Sequence, residues 1–344
     1  MPPPDAPPGG CLTDVPGIAV GHAHRCGRGW RTGTTVALLP PGAVVGVDVR
    51  GGVPGTRETD LLHPQATIAT AHAICLTGGS AYGLAAADGV MAVLAARGIG
   101  FPVGTEPGEV VPLVPSAVIF DLGRGGVFTN RPDAGFGRRA AVAARPRPVG
   151  NGSVGAGSGA RTRGLQGGVG TASQVMPGGV VVAALAVVNA AGSLLDTTSG
   201  LPWEAGDDPL QRPTATERAA LRRVMEASVP SLNTTIGIVA TTAALSKAEA
   251  GKFAAVAHDG LARAVRPVHS LFDGDTIFGV ATGRDELAEA DDPPRTRTVR
   301  LNAVLEVGAA CFARACTNAV VRATRLGDDP AYLEVCPSAG RRRM

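Results

Sequence analysis

Asn233-Thr-Thr-Ile-Gly-Ile-Val-Ala-Thr241 is the stretch on which the reading of this chain turns. From residue 234 to 241 it is a β-branched run with the look of a central strand. It follows residues 200–232, which are polar, carry Pro202, Pro209 and Pro213, and read as the best linker in the sequence. A threonine at the start of a strand is ordinary by itself. A linker, an abrupt small-residue boundary and then a buried strand opening on a hydroxyl suit self-cleavage. The Thr234 hydroxyl can attack the Asn233 carbonyl in an N-to-O acyl shift, and water then splits the ester. The freed Thr234 would carry its own α-amine, with a pKa near ~7.7–8.0, which can act as the base for its hydroxyl.

Outward from this junction, strands and helices come in blocks rather than in strict βα alternation, which predicts an α+β fold. Residues 34–48 are β-rich and broken at Pro40-Pro41. Residues 66–76 read as a buried strand ending in the turn Thr77-Gly78-Gly79, after which Ser80 is placed to cap a helix running to about Arg97. Residues 116–122 and 178–191 are further strand candidates. Thr214 with Glu217, and Ser246 with Glu249, have the spacing of capping boxes. The second opens a helix whose Phe253, Val256, Ala257 and Leu261 share one face. Residues 275–281 predict another strand and residues 299–324 a long helix.

The composition excludes several classes. A net charge of +3 over 344 residues, with only 3% aromatic residues, gives neither the basic stripe nor the stacking platform of a nucleic-acid protein. Residues 180–191 form the most apolar stretch, too short to span a bilayer. The N-terminus has no basic segment followed by an apolar run, and six scattered cysteines without a Cys-x-x-Cys pair make no disulfide scaffold. A cytoplasmic location is the default expectation.

Other motifs are weaker. Gly150-x-Gly152-x-x-Gly155 matches a dinucleotide fingerprint by letters, but Arg145-Pro-Arg-Pro148 precedes it where a strand is required. His22-Ala-His24 lacks further ligands for a metal, and structural or surface roles are expected for all six histidines. Asp273-Gly274-Asp275 can make a turn, hold Mg²⁺, or orient and deprotonate a nucleophile. Taken alone, the turn is favoured.

Seven ordered landmarks then add a resemblance. They are Thr13-Asp-Val-Pro-Gly-Ile-Ala-Val-Gly-His22, Arg50-Gly-Gly-Val-Pro-Gly-Thr-Arg-Glu-Thr-Asp60, Leu76-Thr-Gly-Gly-Ser-Ala-Tyr-Gly-Leu84, Gly167-Gly-Val-Gly-Thr-Ala-Ser173, Ala186-Val-Val-Asn-Ala190, Asn233-Thr-Thr-Ile-Gly237 and Asp273-Gly-Asp-Thr276. From about Leu12 onward the chain resembles the DmpA-type peptidases of family S58, which include L-aminopeptidase/D-esterases, β-aminopeptidases and nylon-oligomer hydrolases.

The resemblance implies a four-layer αββα sandwich of the N-terminal-nucleophile-hydrolase kind. Residues 1–11 would be a disordered tail, and residues 12–233, with the linker 200–232, and 234–344 the two fragments of one catalytic domain. It implies cleavage between Asn233 and Thr234, Thr234 as nucleophile, and Asp273 and Asp275 as the acids that position and activate it. Asn189 would be an oxyanion donor near the scissile carbonyl, and Tyr82 would line the substrate cleft. Gln166 stands where the nylon-hydrolase branch commonly has a lysine. Without that charge the Asp273/Asp275 pair is expected to be more negative and to bind protons more tightly. The implied substrates are small amine-bearing peptides, amino-acid amides or ω-amino-acid oligomers. No metal or organic cofactor, nucleic acid or membrane is implied, and the expected assembly is a homo-oligomer, with a tetramer favoured. Two alternatives remain open: an uncleaved ligand-binding member of the same fold, and a Mg²⁺-dependent hydrolase using Asp273 and Asp275.

Overall fold

The computed structural model describes residues 9–228 and 232–340. The strands of its two five-stranded sheets run in chain order as β1 (Ala19–Gly27), β2 (Trp30–Leu38), β3 (Val44–Val49), β4 (Thr56–Arg57), β5 (Ala73–Thr77), β6 (Ser116–Val118), β7 (Gly168–Val175), β8 (Val181–Val188), β9 (Ile236–Ala243) and β10 (Thr276–Asp285). The main helices are α1 (Ala86–Ala95), α2 (Ala134–Ala143), α3 (Ala215–Glu226), α4 (Lys247–Ala264) and α5 (Thr296–Val321). Sheet one has the order β1-β2-β5-β6-β4 and sheet two β7-β8-β9-β10-β3. Sheet two therefore takes three strands from before residue 233 and its two adjacent strands β9 and β10 from after it.

Side-chain alternation builds the layers. On β8, Ala183, Leu185 and Val187 join Ile236, Ile238, Ala240, Phe278 and Val280 in a core that also holds Val20, Ala37, Ile74 and Leu76 of sheet one. The other face of β8, with Val182, Ala184, Ala186 and Val188, packs with Phe253, Leu261, Phe312 and Cys316 of α4 and α5. Ala23, Val36 and Cys75 on the outer face of sheet one meet Val90, Leu94, Phe136 and Ala140 of α1 and α2. Helices on both outer faces of two stacked sheets make the expected αββα sandwich. Every residue of β9 is buried because sheet one covers one face and helices the other, so its sequence lacks the alternation of a half-exposed strand.

The small residues of sheet two have a packing reason. A Cβ on Gly170 would lie 1.9 Å from the Ala315 carbonyl oxygen, so only glycine lets α5 come this close to β7. Helix α5 is long and apolar enough to cross a bilayer by length and composition alone, yet its apolar face is buried against sheet two and α4.

Three sequence expectations shift. Within the expected tail, Gly9 to Cys11 are placed: the Gly9 carbonyl accepts from Ser173 N at 3.0 Å and from Arg314 at 2.9 Å, and Cys11 is buried. The helix expected from Ser80 begins behind Gly79 with no side-chain cap, and it divides into a short turn (Ser80–Gly83) and α1. The strand expected at 66–76 is confined to β5. The Ala66 and Ile68 carbonyls, with that of Leu61, turn instead to the Lys247 ammonium at 2.7–2.9 Å. Both capping boxes form as expected, on α3 and α4.

Candidate active site

Strand direction gathers the candidate residues. Strand β9 runs parallel to β10 with Ile236 opposite Thr276, and antiparallel to β8 with Val187 opposite Ile236. The residues just before β9, those just before β10 and that after β8 must therefore meet at one end of sheet two. Thr234, Asp273, Asp275 and Asn189 hold those positions. The end of β3, paired with β10 at Val49–Thr276, sends residues 50–54 across the same edge. There Arg50 N and Val53 N donate to the Asp275 and Asp273 carbonyls, both at 2.9 Å.

Thr234 is buried, and its hydroxyl donates to the carbonyl of Asn233, the residue before it. Thr234 N donates to the Asn189 carbonyl at 2.6 Å and Asn233 N to the Phe272 carbonyl at 2.9 Å. The junction is thus held on both sides of its peptide bond.

Neither carboxylate is hydrogen-bonded to the Thr234 hydroxyl; they brace the backbone around it. Asp275 Oδ1 accepts from Thr235 N at 2.7 Å, and Oδ2 accepts from His269 N at 3.2 Å and pairs with His269 Nδ1 at 2.8 Å. Asp273 accepts from Ala191 N at 3.1 Å and from both Ser270 N and Ser270 Oγ. Burial, then the nearby Asp275 charge, pushes the proton affinity of Asp273 up. Among the described residues, no group of three or more His, Cys, Asp or Glu is arranged as a metal site.

Between the two acids, Gly274 lies against the Thr234 side chain. A Cβ there would stand 2.9 Å from Thr234 Oγ1 and 2.5 Å from the Val53 carbonyl oxygen. Gly274→Ala is expected to overpack this contact by about 1–3 kcal/mol and to slow any reaction of the Thr234 hydroxyl at least tenfold, read as the rate at which uncut chain disappears on a denaturing gel. Gly251→Ala, on α4 with open space at its Cβ, is the control expected to react at the unaltered rate.

Asn189 is buried, and its side-chain oxygen accepts from Arg124 and from Arg161 N at 3.1 Å. Its amide nitrogen reaches the Phe120 carbonyl at 3.3 Å. The donor expected for an oxyanion is therefore engaged with backbone in this state. Gln166, just before β7 at the same sheet end, is fully buried. Its nitrogen faces four carbonyls, the closest that of Ala160 at 2.9 Å, and its oxygen accepts from Arg31 at 2.7 Å. Arg31 in turn pairs with Asp329 at 2.7 Å. The positive charge beside this position is that of Arg31. Tyr82 is 55% exposed, beneath the Arg131 guanidinium at 3.7 Å from its ring centre, on the turn that follows β5. Among the described residues it makes no hydrogen bond to the Thr234 cluster. Its turn borders the next one, since Gly79 N donates to Asp121 at 2.7 Å.

That next turn, Asp121-Leu-Gly-Arg124, supplies a residue the sequence reading missed. Arg124 donates to Asn189, to the Gly159 carbonyl at 2.7 Å and to Asn233 Oδ1 at 3.1 Å. Burial pulls its pKa down to about 9, against the opposing pull of Asp121. Burial likewise raises Asp121 to about 6. His269 was also missed; its place four residues before Asp273 was the available signal.

The His269 ring meets the buried His258 ring edge-on, 4.9 Å between centres, and His258 bonds the Asp48 carbonyl at 3.1 Å. Burial lowers His258, and separately His22, from 6.5 to about 4. Each ring stays neutral in the fold but gains a proton on unfolding between these values. Its stabilisation is therefore present above pH 6.5 and lost as the pH falls toward 4; Asp121, shifted upward, acts with the opposite sign. His258→Gln is expected to flatten the acid limb of stability between pH 7 and 5 in urea titrations, and an unchanged limb would contradict this.

Comparison with known proteins places the chain. The model of peptidase family S58 matches residues 10–329. An uncharacterized aminopeptidase of Mycobacterium leprae is 46% identical, over 97% of this chain and 96% of its own. A 6-aminohexanoate-oligomer endohydrolase of Kocuria is 31% identical over 83% of this chain and 78% of its own. Among solved structures, a Burkholderia β-aminopeptidase superposes with a TM-score of 0.71 at 25% identity, covering 98% of this chain and 97% of that one. The L-aminopeptidase D-Ala-esterase/amidase of Ochrobactrum anthropi, described as a variant of the Ntn-hydrolase fold, gives 0.69 at 19% identity over 93% and 89%. The chain belongs to peptidase family S58 and is a hydrolase of peptide or amide bonds.

Proposed function

We propose that the chain cuts itself between Asn233 and Thr234 and then hydrolyses small amine-bearing peptides, amino-acid amides or ω-amino-acid oligomers through an ester on Thr234. The observation that carries this reading is the buried Thr234 hydroxyl in contact with the carbonyl of its own preceding residue. Attack of Oγ on that carbonyl carbon breaks the Asn233–Thr234 amide, whose nitrogen takes the hydroxyl proton. Water then opens the ester, leaving a carboxylate on Asn233 and a free amine on Thr234. In turnover that amine takes the hydroxyl proton and returns it to the leaving amine of the substrate. The Asn189 carbonyl, already 2.6 Å from Thr234 N, would orient its lone pair.

Asp275 and Asp273 act here as braces that fix Thr235 and the 189–191 turn, and Asp273, with its raised proton affinity, is the nearby proton carrier. The names of the aminopeptidase and oligomer-hydrolase relatives support the substrate range. Exposed Leu271, Phe272 and Val53 form an apolar rim beside the acids, and with the family resemblance they support a homo-oligomer, a tetramer favoured. Intact-mass measurement before and after incubation at neutral pH tests the reading. Fragments of residues 1–233 and 234–344 are expected. A chain that stays whole and turns over no amide would overturn the proposal in favour of an uncleaved ligand-binding protein.

A further inference from the structure

The ester formed during self-cleavage and the acyl-enzyme formed on a substrate are the same bond, an acyl group on Thr234 Oγ. Asn233 in the uncut chain therefore occupies the place that a substrate's acyl residue takes in the mature enzyme. Two of the contacts of Asn233 bear on that place. Asn233 N donates to the Phe272 carbonyl at 2.9 Å, where the free amine of a substrate would sit. Its side-chain oxygen accepts from Arg124 Nη2 at 3.1 Å. Arg124 is not free to swing away, because its other amino group is held by Asn189 and the Gly159 carbonyl. From these contacts we propose that Arg124 is a specificity-determining residue of the acyl pocket, and that the enzyme prefers substrates whose N-terminal residue is L-aspartyl or L-asparaginyl.

This inference rests on the self-cleaving hydrolase reading. Its physical basis is that a fixed, partly desolvated donor is left without an acceptor when the acyl residue is alanyl or leucyl, and meets a like charge when it is lysyl. Aspartyl adds charge to the hydrogen bond and is expected to lead. The reaction is ordinary acyl transfer: Thr234 Oγ bonds to the aspartyl or asparaginyl carbonyl carbon, the anilide nitrogen leaves with the hydroxyl proton, and water releases the free amino acid.

The test is kcat/KM of the purified, cut enzyme on the L-aspartyl, L-asparaginyl, L-alanyl, L-leucyl and L-lysyl p-nitroanilides, for the native protein and for Arg124→Met. The native enzyme is expected to favour aspartyl and asparaginyl over alanyl at least tenfold, with lysyl slowest. In Arg124→Met the ratio is expected to collapse to about one whatever the absolute rate. Should that variant remain uncut, inhibition of the native enzyme by free L-aspartate against free L-alanine supplies the same comparison. A native enzyme that is cut and active but treats alanyl as well as aspartyl overturns the role of Arg124 and leaves the hydrolase reading standing. A native chain that is never cut and hydrolyses no anilide overturns both.

Discussion

Replacing Thr234 with alanine is expected to leave a single uncut chain and to abolish amide hydrolysis, a loss of more than ~10⁴-fold when a covalent nucleophile is removed. The expectation follows from position. The Thr234 hydroxyl contacts the carbonyl it would attack, and the backbone on either side is fixed by the Asn189 and Phe272 carbonyls. Alanine keeps that backbone and removes only the oxygen and a methyl group, so the variant should fold. Thr234→Ser, which keeps the oxygen, should still cut. Intact mass over several days, with an amide substrate assayed in parallel, decides the matter. Fragments meeting at residue 234 in the alanine variant would remove the threonine from the mechanism.

Asp275→Asn is the second large effect. Every contact to this buried carboxylate comes from a donor: Thr235 N at 2.7 Å on one oxygen, His269 N and the His269 ring on the other. An amide of the same shape must turn its NH₂ toward one of them, leaving a buried donor unpaired at a cost of about 1–3 kcal/mol. The damage reaches Thr234, because Thr235 N is the amide immediately after it and the 269–275 loop also carries Asp273. Cleavage is expected to slow at least a hundredfold, with a lower melting temperature. An asparagine variant that processes at the unaltered rate would show that the acid does not position the junction.

Much of this arrangement was legible. The β-branched run of β9 and the two capping boxes are local patterns that form close to where the residues place them, whereas the turn favoured at Asp273-Gly274-Asp275 lies just before it, at residues 271–272. What escaped depends on partners distant in sequence. Residues 66–72 have strand-like side chains, yet the Ala66 and Ile68 carbonyls serve the Lys247 ammonium, distant in sequence. Arg124 among glycines looks like a solvated turn residue until sheet one brings it against Asn189 and Asn233. Helix α5 begins at Thr296 rather than at Val299, an ordinary uncertainty of helix ends. The resemblance led to Thr234, Asp273, Asp275 and Asn189 and the topology brings them together, while their individual hydrogen bonds had to be seen.

Sheet two also sets a timetable. Its strands β7, β8 and β3 leave the ribosome first, but the two strands that must lie between β8 and β3 come last, and the acids that brace Thr234 follow it by about forty residues. A nascent chain that has just exposed Asn233 and Thr234 has the reactive pair without its supports. On the proposed self-cleavage, and with the domain folding as a unit, the Asn233–Thr234 bond is expected to stay inert through most of translation and to become competent only once β10 has docked. Under that proposal assembly would be its own checkpoint: a protein that has not finished folding would have no means of cutting itself.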